Sequence, residues 1–197
     1  MKLKNILQVR PVLRSEVRHF IETHHYSKSI NGVTSDICFG LFWENRLVGA
    51  MLFGKLGMAG CWKKYADSAD KVIELRRLCC IDDTPPFSES FFIGAALRWL
   101  KANTQYAVVV SYADPNHGHQ GTIYKASNFT YLGITSPTKV IVRISDQKVF
   151  HDKTIRTYYK GKLKPYAQRL VEDLAQGRAE YSTQLGKHIY TYYLRKP

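Results

Sequence analysis

The chain has 197 residues, 45% hydrophobic and 13% aromatic, enough to enclose one sizeable core, so a single domain over 1–197 is expected. Lys and Arg number 29 against 16 Asp and Glu; the formal charge of +13 makes a polyanion, nucleic acid first, the expected partner. No apolar run reaches the roughly eighteen residues of a membrane helix and the basic start lacks the apolar core of a secretory leader, so a soluble, cytoplasmic protein without a membrane partner is expected.

Cys38, Cys61, Cys79 and Cys80 show no C-x-x-C spacing, which argues against a zinc-finger or disulfide framework. In chain order, "RSEVRHFIETHHYS" carries Val17, Phe20 and Ile21 at helical intervals with Ser15 as the cap, leaving His24, His25 and Tyr26 at the C-terminal end. "DICFGLFWENRLVGAMLFGKL" predicts two strands around a hairpin turn at Glu44-Asn45-Arg46. "KVIELRRLCCI" predicts a strand ended by "DDTPP", whose prolines cannot continue a central ladder.

"FSESFFIGAALRWLKAN" predicts a helix capped by Ser88, with Glu89 in its first turn and Phe92, Ala95, Ala96 and Trp99 on one face. "YAVVVSYA" reads as a strand covered on both sides, "TIYKAS" as a short helix and "FTYLGI" as a strand, giving the order β-α-β-α-β. A further strand "KVIVRI", a helix around "LKPYAQRLVEDLAQG" and a final strand "KHIYTYYL" complete the chain. The core is expected at about 10–145, with a basic extension and last strand over 146–197.

Chemistry concentrates in "SYADPNHGHQGTIYKASNFTYLG", Ser111 to Gly133. Asp114 ends the covered strand, where ligands meet open α/β sheets; it also suits the capping of a turn before Pro115. His117 and His119 form an H-x-H in a Gly-flanked turn, two nitrogens where a structural zinc site needs more, so orienting a donor or touching a phosphate is the expected task. Basic and aromatic residues interleave in "GCWKKY" and "IRTYYKGKLKPYAQR"; with Lys28, the residues Trp62, Lys63, Lys64, Arg156, Lys160 and Lys162 are the candidates for gripping nucleic acid, a solvated loop being the alternative.

The order of elements resembles the α/β (α+β) fold of the GCN5-related N-acetyltransferase superfamily, a mixed sheet flanked by helices. That resemblance implies an acyl-coenzyme A held by the strand-loop-helix at Cys79, Cys80, Ser88 and Ser90, and a further donor contact set at Asn116, His117 and Gly121, with Tyr124 protonating the leaving thiolate. The superfamily's glycine-rich phosphate loop is replaced here by "DDTPPFSES", which leaves open another activated acyl or aminoacyl donor.

"HHYSKS", "LFWENRLVGAMLFG", "ELRRLCCIDDTPPFSESFFIGAALRWL", "SYADPNHGHQGTIYKASNFTYLG" and "GKHIYTYYL" together resemble the Mom family of bacteriophage DNA-modification proteins over roughly residues 20 to 194. The resemblance implies transfer of a methylcarbamoyl (acetamido) group to N6 of adenine in double-stranded DNA, an anti-restriction modification, in the host cytoplasm. It places the functional residues at His25, Tyr26, Asp114 and Tyr124, with iron at His25, Tyr26 and Asp114. Such chemistry needs a flipped base, for which Tyr26, Trp43, Trp62 and Tyr65 are stacking candidates, and it expects Asp114 to face the cleft of His25 and Tyr26. An acyl-coenzyme A-dependent N-acetyltransferase acting on a protein, RNA or small amine is the alternative, a non-enzymatic DNA-binding protein a third reading. A monomer and a dimer both remain open.

Overall fold

The structure, a computed structural model, describes residues 2–34 and 36–195. The chain divides into two compact units, one formed by residues 1–113, 119–133 and 188–197, the other by 114–118 and 134–187. Among the described residues no helix is long and apolar enough to cross a membrane.

The first unit opens with β1 (Leu7–Val12), followed by α1 (Arg14–His24), β2 (Ile37–Trp43), β3 (Arg46–Gly54), β4 (Val72–Cys80), α2 (Ser88–Asn103), β5 (Val108–Ala113), α3 (Thr122–Ala126) and β6 (Thr130–Ile134). The second unit holds β7 (Thr138–Arg143), β8 (Val149–His151), β9 (Tyr158–Tyr159), β10 (Lys162–Leu163), α4 (Pro165–Ala175) and β11 (Ala179–Gln184). The chain then returns to the first unit as β12 (His188–Tyr193).

Seven strands make the main sheet in the order β1-β2-β3-β4-β5-β12-β6. The β2–β3 turn lies at Glu44 and Asn45, both at positive φ (49° and 63°), the geometry whose twist matches a tight hairpin. β4 and β5 run parallel in register from Val72↔Val108 to Leu75↔Ser111. Beyond that the register stops, although β4 continues to Cys80 and β5 to Ala113, so the two strands part just where their C-terminal ends carry the candidate chemistry. β5 is flanked by β4 and β12, which accounts for its run of valines.

One core cluster joins Phe39, Phe53, Ile73, Phe92, Ile93, Leu100 and Val109, and a second gathers Val17, Ile21, Ile30 and Leu52 under α1. Burying each such side chain stabilises by roughly 1.5–3 kcal/mol.

Three local expectations are corrected. Ser15 is an exposed helical residue; α1 is capped at Leu13, whose N–H donates to the Glu16 carboxylate at 2.6 Å while its carbonyl accepts from Glu16. Ser88 is not the cap of α2 either: Phe87 takes that position in left-handed conformation (φ 68°), and Ser88 donates both its N–H (3.2 Å) and its hydroxyl (2.6 Å) to the Pro85 carbonyl. The buried face of α2 is Phe92, Ile93, Ala96, Leu97 and Leu100, turned from the expected stripe because this helix is apolar on most sides.

In the second unit β11, β7 and β8 form an antiparallel sheet, and α4 packs Leu170 against Ile141 and Ala179. β9 and β10 form a separate two-stranded hairpin.

Candidate active site

α1 ends because His25 leaves helical conformation (φ −79°, ψ 141°), which turns its ring into the protein, 5% exposed. There Nδ1 accepts the Ser27 backbone N–H at 3.1 Å and lies 2.9 Å from the Ser27 hydroxyl. An imidazole nitrogen that accepts an N–H carries no proton of its own, so the neutral ring holds its proton on Nε2.

Tyr26 follows with its ring 4.2 Å from that of His25 and 5.0 Å from that of His119, centroid to centroid. The result is a tilted row of three rings running from buried His25 to exposed His119, with Tyr26 44% exposed between them. Arg77 of β4 lies close by: burial pushes its guanidinium below the usual arginine range, an effect the Tyr26 phenol counters. Its Nη1 donates to the Arg76 carbonyl at 2.7 Å.

Tyr124 is held on α3, its ring 5.5 Å from Phe129 and 5.3 Å from Tyr190, and is 8% exposed. Burial pushes its phenol up to about 12, with the Ser111 hydroxyl pulling it back, so at neutral pH it is a protonated donor. Ser111 is the residue at which the β4–β5 register ends. Gly121 sets the start of α3: it sits at φ +76°, and a Cβ there would overlap the Tyr190 ring. Tyr190 in turn donates its hydroxyl to the Gln120 carbonyl at 2.6 Å. Gly121 thus acts as a packing residue for the segment that carries Tyr124.

Asp114, in the second unit, caps the turn Pro115–His117 through the Asn116 N–H at 3.0 Å. Its Oδ1 also accepts from Asn116 Nδ2 at 2.8 Å, and Oδ2 pairs with Lys187 at 2.9 Å. Burial raises its pKa, but Lys187 and Asn116 together outweigh that and hold the carboxyl below its ordinary value. Such a group is a fixed anion and a weak base. Asn116 is engaged on every side, since its carbonyl oxygen accepts the Leu185 N–H (3.1 Å) and its amide also donates to the Leu185 carbonyl (3.1 Å). His117 ends the same turn, exposed.

In the expected donor region, burial pushes the Cys79 thiol up to about 12 and raises that of Cys80 as well, so both are protonated packing groups rather than nucleophiles. Ser88 is buried, and the Ser90 hydroxyl donates to the Phe87 carbonyl at 3.0 Å. No side chain caps the first turn of α2, and Phe87 beside it is 77% exposed in a left-handed conformation that costs a non-glycine residue energy. An open groove of about 510 Å³ lies nearby, lined by Phe20, His24, Arg46, Cys80, Asp82 and Asp83 among others.

The nucleic-acid candidates divide. Lys28 donates to the Thr23 carbonyl. Trp62 is partly buried against the Val72, Val108 and Val110 cluster, with Lys63 Nζ 5.7 Å from its ring and Lys64 exposed. Tyr65 meets the Tyr112 hydroxyl at 3.4 Å and Trp43 packs on the main core. Arg156 is exposed but ion-paired with Asp152, whereas Lys160 and Lys162 lie on the exposed β9–β10 hairpin.

The expected iron site at His25, Tyr26 and Asp114 is not supported. Among the described residues no group of three or more His, Cys, Asp or Glu side chains is gathered to hold a metal ion. The donor chemistry accounts for it: His25 Nδ1 accepts from Ser27, and the ammonium of Lys187 stands on Asp114 where a cation would have to bind. These residues do not fit the metal.

The structure therefore gathers His25, Tyr26 and Tyr124 in the first unit and ties Asp114 to Asn116 and Lys187 in the second. It adds Arg77, Ser27 and Phe87, which sequence reading passed over. In the sequence Arg77 is only one charge inside the apolar run "KVIELRRLCCI", and Ser27 and Phe87 carry no signal.

Comparison with known proteins bears on the same features. The chain is similar to the protein named Methylcarbamoylase mom of Escherichia phage Mu, 30% identical over 149 residues, 73% of this chain; it spans 59% of that protein's length. Its fold is that of an N-acetyltransferase from Staphylococcus aureus Mu50 (TM-score 0.52, 13% identity, 96% of this chain and 99% of that one). The same holds for the ribosomal-protein-S18-alanine N-acetyltransferase of Escherichia coli (TM-score 0.55, 7% identity, 98% and 96%). Arabidopsis thaliana NAA60, solved in complex with acetyl-CoA, matches at a TM-score of 0.51 (8% identity, 95% and 98%). At these identities the likeness shows the fold alone. The sequence pattern of the Mom protein family matches residues 6–197, so the chain belongs to the Mom protein family.

Proposed function

We propose that the protein is a phage-type DNA-modification transferase that places a methylcarbamoyl (acetamido) group on N6 of adenine in double-stranded DNA, shielding that DNA from restriction in the host cytoplasm. The substrate rests on family membership and on the name of the phage Mu relative, and the net charge of +13 supports a polyanionic partner. The observation that carries the chemistry is Tyr124, a buried, protonated phenol beside Ser111 where β4 and β5 part. A phenol with a pKa near 12 is matched to giving its proton to a basic leaving group, and the phenolate so formed to taking the proton that N6 loses on acylation.

Adenine N6 is a weak nucleophile, its lone pair delocalised into the ring, so the donor must be an activated acyl or aminoacyl species. The fold supports an acyl-coenzyme A, whose phosphates would meet the uncapped first turn of α2. Asp82 and Asp83 just before that turn oppose a highly charged anion and favour a donor carrying less charge. Tyr26 offers an exposed ring for an extruded base, with His119 beside it and the Nε2–H of His25 as a donor behind it. Asp114 keeps the loop after β5 in shape as an anion rather than serving as the base.

Nucleoside mass spectrometry of DNA from cells expressing the protein tests this. A heavier deoxyadenosine that disappears with Tyr124→Phe is the expected result; unmodified nucleosides with the wild type sink the reading.

A further inference from the structure

The second unit carries a surface that the transfer chemistry does not use. Between Lys153 and Val171 the chain has six basic residues (Lys153, Arg156, Lys160, Lys162, Lys164, Arg169) and no Asp or Glu. Each aspartate of this unit already has a cation: Asp114 has Lys187, Asp146 has Arg143, Asp173 has Arg178, and Asp152 takes Arg156 out of the six. Among the described residues no ion pair joins Lys160, Lys162, Lys164 or Arg169 to a carboxylate.

This surface is built on a short hairpin. β9 and β10 are two residues each, with Tyr159 opposite Lys162 and Tyr158 opposite Leu163. Their link is Lys160-Gly161, both at positive φ (51° and 74°), the tight turn that leaves no loop to fold back over the strands. Lys160 Nζ lies 5.7 Å from the Tyr159 ring. Tyr158 and Tyr159 are 64% and 63% exposed. Large rings left in water on a tight hairpin, beside ammonium groups that no carboxylate pairs, make a surface for a partner that is anionic and offers flat or apolar faces between its charges.

The end of this hairpin is tied to α4. Gln168 Nε2 donates to the Leu163 carbonyl at 3.2 Å, and Lys164 leads directly into α4, whose Ala167 and Leu170 are buried while Tyr166 and Arg169 remain exposed.

We infer that this hairpin, with the first turn of α4, grips the backbone of duplex DNA without reading its sequence. A two-stranded ribbon is the right width for a groove. The side chains on it are lysines, which act as point charges on phosphates, and tyrosines, which pack against sugars and base edges; no free Asn or Gln stands on the ribbon to read a base. Phospholipid headgroups are also anionic, but a membrane-binding element needs an extended apolar face, and here the apolar pair Tyr158–Leu163 is followed by the pair Tyr159–Lys162 and flanked by Lys160 and Lys164. The choice of DNA rests on the function proposed above.

The test is fluorescence anisotropy of the full chain with a mixed-sequence duplex across a range of salt. Lys160→Ala/Lys162→Ala/Lys164→Ala should weaken binding by ten- to a hundredfold and flatten the log–log salt dependence by about 2–3, near 0.9 for each phosphate left without its lysine. Tyr158→Ser/Tyr159→Ser should weaken it several-fold with the salt dependence unchanged. A duplex of scrambled sequence should shift by the same factors, and both variants should melt like the wild type. Unchanged affinity and salt slope in the triple variant overturn the inference, as does a loss confined to one sequence or lost binding to phosphatidylserine vesicles with duplex binding intact. Failure here and failure of the proposed function separate cleanly: modified deoxyadenosine with wild-type duplex affinity in the triple variant removes the hairpin's role alone. Weakened duplex binding in the triple variant, with unmodified DNA in wild-type cells, removes the chemistry alone.

Discussion

The two units treat their polar side chains in opposite ways. In the first, His25, Ser111 and Tyr124 are drawn into a large core and each is held at short range by neighbours, so their orientation and protonation are settled before any substrate arrives. In the second, the core is small, the aspartates are matched to nearby cations, and the remaining lysines and tyrosines stand in water. Burial and exposure thus select different work: preorganised groups suit chemistry on one atom, and solvated charges suit a partner met at many points.

Removing the buried phenol puts that contrast under the greatest load. Tyr124→Phe deletes one oxygen at constant packing and should lower adenine modification by about 10²–10⁴-fold. The thermal midpoint should stay near that of the wild type, and retention of modification would detach Tyr124 from the reaction.

Close approaches of backbone come next in size, one in each unit. A Cβ at Gly121 would overlap the Tyr190 ring and meet a positive φ, and a Cβ at Gly186 would overlap the Thr135 carbonyl. Each substitution by Ala should destabilise by about 3 kcal/mol or more, read from chemical denaturation. A midpoint that does not move for Gly186→Ala would show that the segment leading into β12 can shift.

Asp114→Asn should cost about 1–3 kcal/mol, because it leaves the Lys187 ammonium facing an amide. It also carries a pH signature. The folded carboxyl lies below its unfolded value, so its stabilisation is complete above the ordinary carboxylate range and is lost as pH falls through the lower folded value. Acid denaturation of the wild type should show that loss, and the variant should lack it. The phenol of Tyr124 behaves in the opposite sense: its folded value is raised to about 12, so its contribution is present below pH 10 and fades between about 10 and 12, a step absent from Tyr124→Phe.

The smallest effect is expected from Ser27→Ala, about 0.5 kcal/mol or less, since the Ser27 backbone N–H still meets His25 Nδ1. Nitrogen-15 shifts of the imidazole should report the proton on Nε2 in both proteins; a proton on Nδ1 would overturn the geometry assigned to His25.

Periodicity alone accounts for most of the elements. The valine run of β5, the hairpin at Glu44-Asn45, the helix over Ser88–Asn103 and the order of strands and helices around them follow from side-chain pattern and turn chemistry, which act over a few residues. Family membership was legible as well, in long motif stretches. β1 was hidden because Pro11 marks an edge strand and its polar residues break the pattern; its place beside β2 depends on residues some thirty positions away.

The state of each polar group, in contrast, emerges only in the folded chain. Ser88 reads as a helix cap and turns instead to Pro85; Asp114 reads as a metal ligand or a turn cap and is held as a capping anion by Lys187, distant in sequence; Gly121 reads as a donor contact and makes room for Tyr190. Local sequence names the functional group a residue carries, but burial, hydrogen-bond partners and neighbouring charge set its protonation and direction, and those come from segments that meet only when the chain folds.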